Sequence, residues 1–489
     1  MKKWISIMMA SFLAFPVLSG CGSTTGAPAD SATPKAAETA TKDDTADIVV
    51  IGAGGAGMSA AVEATNQGAK VIVLEKMPMV GGNTTRATGG LNAAGTKHQE
   101  AAGIKDSQQL YFDDTMKGGH DKNNPELVKV LTTKAKDSVV WLEEMGADLS
   151  EVGRAGGASV NRIHRPKGGS AVGPNVVTTL KKVIEEKNID LRLNNSATEI
   201  IKGEDGSVAG VKAKDKDGKE YNITSKAVIL ATGGFSANQD MVIKYRPDLK
   251  GFATTNHPGA LGEGITMAEK VNVNLVDMGE IQTHPTVVPD NGVMITEGVR
   301  GDGAILINKE GKRFINELLT RDVVSKGILS QTDGVAYLFF DDGLREGLAA
   351  TEEYFNMGLV TEADSVEELA DKIGVDKKEM VSTVEAYNKA VMAKEDKDFQ
   401  RANMPIQLNK GKLYAIQVTP AIHHTMGGVE INTNAEVVGT DGNLIKGLYA
   451  AGEITGGVHG GNRLGGNAMA DIITFGRIAG ESAAKMVKQ

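Results

Sequence analysis

The sequence predicts an α/β fold built on a doubly wound parallel sheet, and two observations carry that prediction. The first lies near the start of the chain. Asp47-Ile-Val-Val-Ile51 is a short β-branched run suited to a buried strand. A glycine-rich loop follows, then Ala56–Gln67, a helix rich in small residues, then a second apolar strand, Ala69–Glu75. That series is a βαβ unit, which places two parallel strands side by side with a helix across one face. The second observation comes much later. Ala227-Val-Ile-Leu-Ala-Thr-Gly-Gly234 and Gly447-Leu-Tyr-Ala-Ala-Gly-Glu453 are again apolar strands that run into glycine.

The first 45 residues stand apart. Lys2 and Lys3 precede a mostly apolar stretch, Trp4–Ser19, that is too short for a good membrane span and is broken by Pro16. Leu18-Ser19-Gly20-Cys21 resembles a bacterial lipobox. Residues 1–21 therefore read as a lipoprotein signal peptide, with Cys21 as the lipidated residue, and the protein is expected to be exported and anchored to a membrane. An ordinary signal peptide with a chance cysteine is the alternative. Residues 22–45 are small, polar and proline-containing and cannot build a core, so they read as a flexible linker.

The rest has an ordinary globular composition. The 489 residues are 41% hydrophobic and 24% charged, enough for two or three domains. A net charge of -9 gives no footing for nucleic-acid binding. Cys21 is the single cysteine, which excludes an intrachain disulfide, an Fe–S cluster, a cysteine-rich zinc site and a C-x-x-C-H haem. Residues 125–145 show helical spacing and end at Gly146. Residues 191–230 alternate as strands, with Asp215–Gly218 as a turn. Residues 364–393 read as two helices parted near Gly374, and 447–484 as strand, glycine stretch and long helix.

Gly52-Ala-Gly-Gly-Ala-Gly57 is G-x-G-x-x-G between strand and helix. Glycines let the backbone approach a pyrophosphate, and the helix N-terminus offers it free N–H groups. Glu75 closes the next strand, where a carboxylate can take ribose hydroxyls. The unit is a dinucleotide site. There is one such unit, and with the 227–234 and 447–453 segments it resembles FAD proteins. Direct reduction by NAD(P)H would need a second unit.

Gly81-Gly-Asn-Thr-Thr-Arg-Ala-Thr-Gly-Gly90 makes the resemblance specific. The chain resembles the flavoproteins of the fumarate reductase and succinate dehydrogenase family. Asn83 stands where the membrane-complex branch carries a flavin-linking histidine, so the resemblance implies non-covalent FAD. Five further stretches hold polar residues: Gln282–Thr286, Met294–Arg300, Asn316–Asp322, His423–Gly428 and Gly460–Asn467. They are similar to the soluble periplasmic fumarate reductases of the flavocytochrome c type, from about residue 46 to the C-terminus.

Reducing an activated C=C needs a hydride donor on one carbon, a proton donor across from it, and cations on the flanking carboxylate. By resemblance Arg321 is the acid, and Glu297 and Arg300 are the relay that reprotonates it. His284, Met294, Thr296, Glu297, His423, Arg463 and Gly466 form the substrate site. Cofactor contacts are Gly52, Gly54, Gly55, Ala56 and Gly57, then Glu75, Lys76, Gly82, Asn83, Thr84, Gly89 and Gly90. Thr232, Gly233, Glu263, His424, Glu453, Ala468 and Met469 complete them. Arginine is a poor acid towards water, but hydride delivery leaves a carbanion-like centre basic enough to take its proton.

Residue-level alternatives stand beside these roles. Arg321 at helical spacing from Glu317 would suit a structural ion pair, and Glu297 with Arg300 a surface pair. His423 and His424 are adjacent on an extended segment and point to opposite faces, so no metal site is expected. His98, His120, His164, His257 and His459 read as structural or surface residues. Leu261-Gly-Glu-Gly264 departs from the family's usual Thr-Gly-Asp-Gly, and Gly461 from its usual alanine.

The resulting expectation is an FAD-binding, Rossmann-like domain, 46–278 with 424–489, and an inserted α+β capping domain, 279–423. Fumarate would be reduced to succinate, with electrons from a separate donor such as a cytochrome. The alternatives are another enoate, such as urocanate or a cinnamate-like acid, or a non-catalytic flavin-bearing lipoprotein. A steroid dehydrogenase would want tyrosines near the flavin, and the five stretches contain none.

Overall fold

The computed structural model describes residues 44–489 apart from 290. Cys21 and most of the linker lie outside the described residues. Asp44 and Thr45, expected at the end of the linker, instead form a short strand parallel to Glu220–Thr224. Two residues that composition assigned to the linker therefore belong to the described fold.

Six strands make the main sheet, in the order Glu436–Val438, Leu444–Ala450, Ala227–Leu230, Ile48–Ile51, Val71–Glu75 and Asp190–Leu193. All neighbours are parallel except the first pair. The central strands, such as Ile48–Ile51 and Ala227–Leu230, are buried along their whole length. That is why they read as continuous apolar runs and not as alternating ones.

Two helices cover one face closely. The Asn467–Val487 helix lies on the Gly55–Asn66 helix. A Cβ on Gly476 would sit 2.6 Å from the Ala56 carbonyl oxygen, and one on Gly480 would press on the Ala60 backbone. The small residues of both helices therefore set their separation. The Pro125–Glu144 helix starts with proline at its first position and with Asn124 accepting the Glu126 amide, and it buries Leu127, Leu131, Ala135, Val139 and Leu142.

Residues 281–425 contain a second sheet: Ile281–Val287, Leu413–Thr425, Ala336–Asp341 and Ile305–Ile307 in that order, with Thr361–Ala363 added beside Leu413–Thr425. It has apolar clusters on both faces, one around Leu306, Leu338 and Ile416, the other around Phe339, Leu369 and Tyr387. These clusters are separate from the one that packs the main sheet. The Leu413–Thr425 strand runs from this sheet back to the first, and its last residues, His423 and His424, arrive at the seam.

Candidate active site

At the end of Ile48–Ile51 the chain turns at Gly52, whose φ of +104° is open to glycine and strained for other residues. Glu75 fixes this turn by accepting the Ala53 amide at 2.9 Å and the Met77 amide at 2.8 Å. Gly54 caps the following helix with no side chain, so the first amides of the helix are left for an anion. Thr84 takes one of them, from Gly55, at 3.0 Å. Lys76 pairs with Glu263 further along the same wall.

Asn83 is held by three partners. Its Nδ2 donates to Asn256 Oδ1 at 2.5 Å and to Glu453 Oε2 at 3.2 Å, and its Oδ1 accepts the His257 amide at 2.7 Å. An amide nitrogen has no free lone pair for a covalent link. Glu453 also accepts the Thr425 amide, and burial raises its carboxyl above the ordinary range.

At the inner end Arg321 is the first residue of the Arg321–Leu329 helix. A helix N-terminus is the wrong end for a cation, and Glu297 compensates. Glu297 Oε2 accepts from Arg321 at 2.6 and 3.1 Å, and Arg321 also donates to Gln282 Oε1 at 3.2 Å. Burial works to raise the Glu297 carboxyl, but Arg321 and Arg300 outweigh it and hold the pKa down at about 2. Arg300 is fully buried behind Glu297, 3.4 Å from its other oxygen, and burial lowers its pKa. Gly156 adds an amide to Glu297 at 3.2 Å from across the seam.

Of the structural pairings suggested by spacing, Arg321 with Glu317 does not form, and Glu297 with Arg300 forms but is buried. Glu317 is taken by Arg313 and Arg401, not by Arg321. Glu297 and Arg300 are not a surface pair, since both are buried.

Three histidines and an arginine complete this end. The Thr286 amide donates to His284 Nδ1 at 3.3 Å, so the proton of the neutral ring sits on Nε2, which has no partner. Burial, reinforced by Arg321, keeps His284 and His423 neutral, and burial with Arg463 does so for His424. The His423 ring lies 5.0 Å from that of His284, while His424 faces His459 at 5.3 Å. Arg463 is 3% exposed and donates once, to the Leu464 carbonyl. Its Nε has no partner, and burial pulls its pKa down to about 9.

All of this opens on one cavity of about 690 Å³. Most of the residues expected at the cofactor and the substrate line it, from Glu75 and Glu263 at one end to Arg321, His423 and Arg463 at the other. Three do not. Gly57 is buried, where a Cβ would collide with the Gly52 carbonyl, so it serves helix–strand packing. Arg300 backs Glu297. Thr296 turns its hydroxyl to the Gly298 amide and caps the Glu297–Gly301 helix.

The structure also brings in residues without an expected role. Gln282 joins Arg321 to the Arg463 carbonyl and to Asn462. Its place two before His284 on one strand was the available signal. Tyr354 reaches the cavity from the Thr351–Asn356 helix, so a tyrosine does approach the site, from outside the five stretches. Nothing local in the sequence marked it.

The family described as FAD binding domain matches residues 47–469. The chain is 54% identical over 446 residues to a fumarate reductase (cytochrome) of Shewanella frigidimarina, covering 91% of this chain and 78% of that one. The chain belongs to the FAD-binding flavoprotein family that includes this fumarate reductase. This flavoprotein is 37% identical to a urocanate reductase of Eggerthella lenta over 94% of its own length and 77% of that protein. It also superimposes on the open conformation of a flavocytochrome c3 fumarate reductase with a TM-score of 0.76 and 43% identity, over 91% of this chain and 79% of the other.

The cavity fits the cofactor of that family. Gly82, Gly89 and Gly233 line it, and a Cβ on any of them would project into open space. Thr232 Oγ1 and His424 Nδ1 are buried polar atoms without a protein partner in the same walls.

Proposed function

We propose that this flavoprotein reduces fumarate to succinate with non-covalently held FAD. The observation that carries the reading is the charge at the inner end of the cavity. Arg321, Arg463 and Arg300 stand there with one ionised carboxylate, Glu297, while the histidines are neutral and Glu453 is pushed towards neutrality. Behind this end Glu317 and Asp396 are already matched by Arg313 and Arg401. Two positive charges are left without a counterion, and a dicarboxylate matches them. Urocanate, with one carboxylate, would leave one buried cation unmatched. That favours fumarate over the alternative enoates.

When bound, FAD supplies a hydride to one alkene carbon. The chain's residues do the rest. Arg463, His423 and the Nε2–H of His284 hold the carboxylates and oppose the charge that builds on one of them. Arg321 gives a proton to the second carbon, and Glu297, 2.6 Å away, returns one to Arg321. Glu297 is ionised at rest and takes the proton it returns from Arg300, 3.4 Å from its other oxygen, and Arg300 is recharged from outside the site. Residues 279–423, with cores of their own, act as a cap that excludes water from this end.

The lysines at 2 and 3, the short apolar stretch and Cys21 support export and lipid attachment outside the cytoplasm. With no C-x-x-C-H in the chain, electrons come from a separate donor such as a cytochrome. The test is a panel of enoic acids given to the purified holoenzyme with reduced viologen. Rapid reduction of fumarate is expected. Rapid turnover of urocanate without turnover of fumarate would overturn the reading.

A further inference from the structure

We propose that Tyr354 is a positioning residue for the proton relay, an inference that rests on the function proposed above. Its side chain is 2% exposed and lines the cavity beside Met357. Its hydroxyl oxygen accepts the Thr296 backbone amide at 2.8 Å. Thr296 is the residue before Glu297 and the cap of the Glu297–Gly301 helix.

That helix is five residues long, too short to hold its own geometry in isolation. Its first amides need partners, and the threonine hydroxyl supplies one at 3.4 Å, a long bond. Tyr354 fixes the residue from which Glu297 departs. The position of the Glu297 carboxylate against Arg321 thus depends on a phenol that touches neither of them.

The segment carrying Tyr354 also crosses the seam. The Ala349 amide donates to the Gly168 carbonyl at 3.1 Å, and Leu348 packs against Gly298 and Gly169. Residues 348–354 therefore tie the relay helix to the main-sheet side of the cavity. The contact across the seam and the support of the Glu297 helix thus come from one segment.

Tyr354→Phe keeps the shape of the ring and removes the acceptor. A buried amide left without an acceptor is destabilising, and the helix start would shift to find another partner. In the FAD-loaded full-length protein, kcat for fumarate should fall about tenfold, the loss expected for a catalytic group moved slightly out of line. KM should stay within about twofold, because Arg463, His423 and His284 are untouched. The solvent deuterium isotope effect on kcat should rise, since proton return to Arg321 becomes slower. By hydrogen exchange, the peptide holding residues 294–301 should exchange faster than in the wild type. Unchanged kcat and exchange, or loss of bound flavin with a large fall in Tm, would overturn the proposal. If the wild type fails to reduce fumarate, the proposed function falls, and the exchange comparison alone still decides whether Tyr354 holds the helix.

Discussion

Arg463 is held under two conflicting demands. A buried guanidinium with one hydrogen bond destabilises the free protein, yet in the proposed function the same vacancy is what an anionic substrate fills. Arg463→Met should therefore act in opposite directions on stability and function. Denaturant unfolding should show a gain on the order of 1 kcal/mol, as when an imperfectly satisfied buried charge is replaced by an apolar side chain. The kcat/KM for fumarate should fall by roughly a hundredfold, in line with losing a charged hydrogen bond of about 1.5–3 kcal/mol. A variant both less stable and equally active would contradict this. At this scale the sequence was informative about Arg321, His284, His423 and Arg463 through the resemblance of the stretches that hold them to the fumarate reductases. It was silent on direction. Thr296 and Arg300 belong to the right stretch but face away from the cavity, and only their partners in space, Gly298 and Glu317, account for that.

The contact between the Gly55–Asn66 and Asn467–Val487 helices joins the start of the chain to its end. The first of these helices carries the amides of the 52–57 loop, and the second begins right after Gly466, so their spacing sets the width of the cofactor end. Gly480→Leu should force them apart, because its Cβ would meet Ala60 backbone atoms, which cannot yield as a side chain can. We expect a destabilisation of about 2–4 kcal/mol with weakened retention of flavin, measured by denaturant unfolding and by the flavin-to-protein ratio. Retention of both would contradict the role given to this packing. Element types were legible where the pattern was local. The strands between 190 and 230 and the helices parted at Gly374 lie within a few residues of their expected places. The second sheet was not legible, because pairing Ile281–Val287 with Leu413–Thr425 joins segments more than 120 residues apart with no local marker.

The molecule buries three neutral histidines, His284, His423 and His424, at the junction of its two sheets, and burial also lowers the pKa of His164, elsewhere in the main-sheet part, to about 4. The folded protein keeps them unprotonated well below the usual histidine range, whereas the unfolded chain protonates them near pH 6.5. The unfolded state thus binds more protons, and stability must fall as pH drops below that value. For three such groups the slope reaches about 4 kcal/mol per pH unit once all are protonated in the unfolded chain. Scanning calorimetry should show a Tm steady above pH 7 and falling steeply between pH 6 and 5. A flat profile would mean that the histidines are solvated. The junction is also where the proposed chemistry takes place, and its central claim is that Arg321 delivers the proton. Stopped-flow mixing of anaerobically reduced holoenzyme with fumarate tests it most directly. The account predicts rapid flavin reoxidation with one succinate formed per flavin in the wild type, and no reoxidation in Arg321→Gln with flavin still bound. Reoxidation of that variant at the wild-type rate would contradict it.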